Sequence, residues 1–153
     1  MTGDRFAGPE VLRSRASSGS AIAGGLAIAG VPVASTPMPS SPSKDLVAVD
    51  NPHPGRDYEV QFSTPELTCV CPLTGQPDFA TVSITFVPDQ HLVELKSLKL
   101  YLWTYRDVGA FHEDVTNRIL DDLVAAISPR RMTVHTLWNV RGGITAEVTA
   151  SHP

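Results

Sequence analysis

A cysteine stands seven residues ahead of an aspartate in Thr68-Cys69-Val70-Cys71-Pro72-Leu73-Thr74-Gly75-Gln76-Pro77-Asp78, with two prolines and a glycine between them. The prolines fix their own φ and Thr-Gly-Gln supplies a turn, so this stretch holds a rigid bend. Such a bend brings the Cys71 thiol and the Asp78 carboxyl toward one small pocket. That pairing suits attack by a thiolate on an electrophilic carbon, with a nearby acid protonating the atom that gains charge. Taken alone, Cys71 reads equally well as a small buried hydrophobe, as free cysteines commonly are.

Three further groups of residues carry chemical potential. His112-Glu113 opens a helical pattern, where a carboxylate is favoured by the helix macrodipole on structural grounds alone. The functional reading is a glutamate accepting two N–H groups from a planar, purine-like ring, with His112 beside it to hydrogen-bond or carry protons. No G-x-G-x-x-G and no G-x-x-x-x-G-K-[ST] occurs, so a nucleotide cofactor would be held by other means. Lys96 and Lys99, with Arg141 at a glycine turn, are the candidate phosphate partners, against the plainer reading of solvated surface charge. Cys69, Cys71 and His112 are the residue types of a Cys₂His zinc site, although C-x-C by itself is a weak signal.

The elements that position these residues begin near residue 44. Residues 1–43 hold five prolines and abundant Ser, Gly and Ala, and carry no charge from Ala16 to Ser43. They read as a disordered or weakly ordered leader. The apolar run Ala21–Val31 is too short for a membrane-spanning helix, and a signal peptide is the lesser reading. The 44–153 segment reads as one domain. Asp57–Ser63 and Ala80–Val87 alternate apolar and polar residues as half-buried strands do. Glu94–Tyr105 fits either period and is taken as a short helix. In residues 110–128, Phe111, Val115, Ile119, Leu123 and Ile127 recur every four positions, and Pro129 ends the helix. Arg131–Val140 and Ile144–Ala150 are strands joined by a turn at Arg141-Gly142-Gly143.

That order predicts an α+β fold, with a four-stranded antiparallel sheet carrying helices on one face. Both sheet edges would be open, so pairing with copies of itself into a closed, homo-oligomeric barrel is expected. The net charge of −4 and pI near 5.6 argue against a nucleic-acid partner. Two cysteines spaced C-x-C make no disulfide framework, and a reducing cytoplasm is the expected compartment.

From Asn51 to Ala150 the chain resembles the QueF family of nitrile reductases, which convert 7-cyano-7-deazaguanine to 7-aminomethyl-7-deazaguanine in tRNA queuosine biosynthesis. The resemblance is carried by Asn51-Pro52-His53-Pro54-Gly55-Arg56-Asp57-Tyr58, the Cys71–Phe79 segment, Val93-Glu94-Leu95-Lys96-Ser97-Leu98-Lys99-Leu100-Tyr101, Phe111-His112-Glu113-Asp114 and Arg141-Gly142-Gly143-Ile144. It implies a tunnelling fold, in which small α+β subunits close into rings. It implies that Cys71 adds to the nitrile carbon as a covalent thioimide, that Asp78 donates a proton, and that two NADPH deliver hydrides. It further implies that Val93, Glu94, Leu95, His112 and Glu113 line the base and that the lysines bind NADPH. Some family members carry a second cysteine two residues after the His-Glu pair, able to protect the nucleophile as a disulfide. Here Val115 stands there, and Cys69 is expected to point away. A zinc-dependent GTP cyclohydrolase-like enzyme or a non-catalytic purine- or pterin-binding oligomer of the same fold are the rival readings. Metal content and nitrile-dependent NADPH oxidation separate them.

Overall fold

The computed structural model describes residues 40–153, so nearly all of the expected leader lies outside the described residues. Four strands form one antiparallel sheet in the order β2 (Val60–Val70), β3 (Pro77–Val87), β5 (Arg131–Arg141), β6 (Ile144–His152). Helices α1 (Leu95–Trp103) and α2 (His112–Ile127) follow β3 and precede β5, with a 3₁₀ turn over Thr104–Asp107 between them. The α+β architecture matches the expectation. A short pair that the sequence did not reveal, β1 (Ala48–Asp50) with β4 (His91–Val93), lies outside the main sheet. Three-residue strands are too brief to establish an alternation, which is why they escaped notice.

Strand alternation sets the core. Ala80, Val82, Ile84 and Phe86 of β3 and Met132, Val134, Thr136 and Trp138 of β5 are all buried on one face. Val115, Ile119, Leu123 and Ile127, four apart on α2, meet that face and are fully buried. Phe111, the first residue of the same periodic series, is instead 56% exposed. It is the N-cap with an extended backbone, so its side chain leaves the helical stripe. The helix ends at Ser128, in the left-handed region at φ 43°, immediately before Pro129.

β2 runs farther than its alternation suggested. It continues beyond Ser63 to Val70, because a bulge between Thr64 and Leu67 absorbs Pro65 and restores the inward phase at Leu67 and Cys69. β3 begins at Pro77, so Asp78 is a strand residue paired with Cys69 rather than a loop residue. The connection between these strands is therefore a hairpin with a tight Cys71–Gln76 loop. At the other hairpin Arg141 pairs with Ile144, leaving Gly142 and Gly143 as a two-residue turn at φ 56° and 82°. Positive φ at both positions is the geometry that glycine supplies without strain. No helix among the described residues is long and apolar enough to cross a membrane.

Candidate active site

Main-chain bonds fasten the Cys71 loop to the start of α2. The Val70 N–H donates to the Val108 carbonyl at 3.0 Å, and the Ala110 N–H donates to the Val70 carbonyl at 3.1 Å. This short parallel bridge sets Cys71 beside residues some forty positions later in the chain. The loop itself is closed by Cys71 N–H to the Gln76 carbonyl at 2.8 Å and Gly75 N–H to the Cys71 carbonyl at 2.9 Å. Gly75 takes φ 70° with open space where a Cβ would stand.

A cleft of about 290 Å³ results, lined by Cys71, Pro72, Asp78, Phe111, His112, Glu113 and Arg141, with Thr74 and Ala110. Cys71 is half-buried there. The Thr74 hydroxyl first, then the N–H groups of Leu73 and Thr74, favour the thiolate and lower its pKa below that of an ordinary thiol. Cys69 behaves oppositely. It is fully buried, its thiol points to the Ala110 carbonyl at 3.9 Å, and burial with the nearby Asp78 charge pushes its pKa up to about 11. On a continuing strand the two cysteines would share a face. β2 ends at Val70, and the turn carries Cys71 away from the core.

Asp78 is buried under two nitrogen groups. His112 Nε2 lies 3.4 Å from Asp78 Oδ2, and Arg141 Nη2 lies 2.7 Å from Asp78 Oδ1. Arg141 also donates to Gln76 Oε1 at 2.5 Å and to the Pro77 carbonyl, so its guanidinium ties together the tips of both hairpins. The sequence offered Arg141 as a phosphate partner; in the fold its Nη1 and Nη2 groups are directed at the Cys71 loop and Asp78. His112 stacks face to face on Trp138, with ring centroids 3.9 Å apart and planes within 4°. Glu113 lines the cleft from the first turn of α2, where the helix N-terminus favours its charge, and forms no ion pair among the described residues.

The structure gathers Cys71, Asp78, His112, Glu113 and Arg141, but not the remaining candidates. Glu94 caps α1, accepting from the Lys96 N–H and the Ser97 N–H at 2.7 Å each, and these bonds lower its pKa. Val93 is buried, while Leu95, Lys96 and Lys99 are exposed at the start of α1. Leu95 and Lys99 line a second cleft of about 270 Å³. Lys99 also lines a third, of about 380 Å³, with Phe79, Trp103 and Arg106 among its walls. Neither shares a residue with the cleft around Cys71. Trp138 and Gln76 are site residues that sequence reasoning missed. Alternation placed Trp138 inward on a strand, but no local pattern ties it to His112.

Comparison with known proteins sets these residues in context. The family model described as QueF-like protein matches residues 77–153. The NADPH-dependent 7-cyano-7-deazaguanine reductase of Thermomicrobium roseum is 62% identical over 110 residues, covering 72% of this chain and 86% of that one. The protein of the same description from Halorhodospira halophila is 58% identical over 110 residues, with 72% and 93% covered. The crystal structure of the archaeosine synthase QueF-Like in the apo form aligns with a TM-score of 0.58 at 25% identity, covering 61% of this chain and 91% of that one.

Proposed function

The chain belongs to the QueF-like family, and from that premise we propose that it reduces the nitrile of 7-cyano-7-deazaguanine to the aminomethyl group at the expense of NADPH. The observation that carries this reading is the Cys71 thiol, with its depressed pKa, in one cleft with the buried Asp78. A nitrile carbon is a weak electrophile, so thiolate rather than hydroxyl nucleophilicity is needed. Cys71 Sγ bonds to that carbon as one C–N π bond opens. The nitrogen takes a proton through Asp78 and His112, giving a covalent thioimide. NADPH, two molecules per turnover, supplies the hydrides that carry the carbon to the amine level and release the thiolate.

Glu113 is assigned to the substrate, its carboxylate accepting N–H groups of the deazaguanine ring. Lys96 and Lys99 are assigned to NADPH. For Lys99 the support is the 380 Å³ cleft, where it and Arg106 offer positive charge and Phe79 and Trp103 offer planar faces to a phosphate-bearing, ring-bearing ligand; Lys96 is assigned from the resemblance alone. Arg141 we assign to holding Asp78 and the Cys71 loop rather than to phosphate.

Val93, Glu94 and Leu95 lie on the β4–α1 junction and are not among the residues that line the Cys71 cleft. We infer that they line the deazaguanine base in a site completed by a second copy of the chain, within a homo-oligomeric ring. The compartment proposed is the cytoplasm, where the free thiol stays reduced.

Intact mass after mixing with 7-cyano-7-deazaguanine, without NADPH, tests the reading. One substrate mass added per subunit, absent in Cys71→Ala and retained in Cys69→Ala, is expected. No adduct on the wild-type chain, or an adduct lost only in Cys69→Ala, would sink it.

A further inference from the structure

Thr116, Thr136 and Trp138 are buried polar side chains outside the cleft, and they join into one line of hydrogen bonds. Thr116 and Thr136 are fully buried and Trp138 is 1% exposed. The Trp138 indole N–H donates to Thr136 Oγ1 at 2.9 Å. Thr136 Oγ1 lies 2.7 Å from Thr116 Oγ1, and the Thr116 hydroxyl donates to the His112 carbonyl at 2.8 Å. A carbonyl only accepts and a hydroxyl has one proton, which sets the direction of the whole line. Thr116 spends its proton on His112, so Thr136 spends its own on Thr116, and the Thr136 oxygen accepts from the indole. Each hydroxyl donates once and accepts once, with no buried polar side-chain atom left unpaired among the described residues.

The line closes on itself through the aromatic stack. It starts at the indole whose face lies against the His112 ring and ends at the His112 backbone. It thereby locks the first turn of α2 to β5 and sets both the position of His112 and the plane of the surface beneath its imidazole. On its open edge that imidazole reaches Asp78. We propose that Thr116, Thr136 and Trp138 are positioning residues that aim the His112 imidazole at Asp78 and the reacting nitrogen. The functional half of this inference rests on the nitrile-reductase reading.

The polar line costs more than an apolar core would, since buried hydroxyls lose water and gain only modest net stability from their bonds. Valine at 116 and 136 would pack the same volume without this liability. What the hydroxyls add is a single rotational setting for the indole and the helix end, which apolar packing leaves softer.

Thr136→Val, nearly the same shape without the hydroxyl, is the main test, with Thr136→Ser as its rescue. Two readouts are needed. The first is the ring-proton NMR shift of His112 in the free protein, assigned by its loss in His112→Ala. Stacked on an indole, these protons resonate upfield. The second is turnover at saturating substrate and NADPH. Expected in Thr136→Val is a downfield move of the His112 signals and a fall in kcat of ~10- to 100-fold, as a small misplacement of a reacting group produces. Thr136→Ser should restore both readouts. Thr116→Val, which removes the other hydroxyl and leaves the indole in place, should shift both in the same sense and serves if Thr136→Val does not fold. Folded variants with unmoved His112 signals would overturn the proposal, as would moved signals with full kcat. A wild-type chain that reduces no nitrile would defeat the functional reading instead, while the NMR shifts would still report whether the line positions His112.

Discussion

Two thiols two residues apart have their pKa values displaced in opposite directions because one sits in a turn and the other in the core. Thr74 is the largest cause of the low Cys71 value, so Thr74→Ala should raise the pH at which Cys71 becomes a thiolate. Alkylation by iodoacetamide climbs as pH rises through the thiol pKa. The climb should move to higher pH in Thr74→Ala, and the rate at pH 7 should fall. Cys69→Ala should leave the profile unchanged, since its own proton departs near pH 11. A Thr74→Ala profile identical to wild type would remove that hydroxyl from nucleophile activation. Glu113 is the residue for which a structural and a functional role differ most. As a first-turn helix stabiliser only, Glu113→Gln would cost a little stability and leave binding alone. As the acceptor of ring N–H groups, it should weaken substrate binding by roughly 10- to 100-fold, measured by titration in a Cys71→Ala background.

Elements act here as brackets around the thiol. The Cys71–Gln76 loop depends on Gly75, whose φ of 70° suits no residue with a Cβ as well as it suits glycine. No neighbour would obstruct an added methyl, so the penalty of Gly75→Ala is conformational, about 1 kcal/mol. The melting temperature should therefore fall modestly, while activity falls more steeply. The strained turn carries the Leu73 and Thr74 N–H groups that support the thiolate. Equal, minor losses in both measurements would mean that the loop relaxes without moving Cys71. The second bracket is Arg141, which reaches from the Gly142-Gly143 hairpin to Asp78, Gln76 and Pro77. Arg141→Lys keeps the charge and loses the planar fork. It should lower kcat while leaving the NADPH KM near wild type; a rise in that KM alone would return Arg141 to the phosphate.

The whole molecule presents a sheet whose outer strands, β2 and β6, have no strand partner on their far sides among the described residues. The sheet face away from the helices carries Ser63, Ser83, Thr133 and Ser151, whose hydroxyls pair at 3.2 Å across neighbouring strands. Phe79 and Leu137 are exposed on the same face, so it is mixed in character, and the unpaired strand edges are where assembly is expected. Leu95, Trp103, Val140 and Ile144 remain exposed near those regions. Light scattering should report a multiple of the 16.4 kDa chain, and dilution into monomers should abolish activity. A fully active monomer would refute the inference that a second copy completes the site.

Residue type and periodicity alone determined the α+β class, the long helix with its buried Val115-Ile119-Leu123-Ile127 stripe, the glycine hairpin and the tight bend that separates Cys71 from Asp78. Each depends on neighbours within a few positions, where the periods of strand and helix and the φ limits of Gly and Pro apply. The same local logic missed the continuation of β2 past Pro65, because a bulge breaks alternation, and misplaced Phe111, because a helix cap leaves the stripe. What only the tertiary structure decided are contacts across many residues. The bridge from Val70 to Val108 and Ala110 sets the thiol beside α2. The Arg141 fork turns toward Asp78, and the His112 ring lies flat on Trp138. Such contacts arise where separate elements pack, and the sequence between them carries no periodic trace of the meeting.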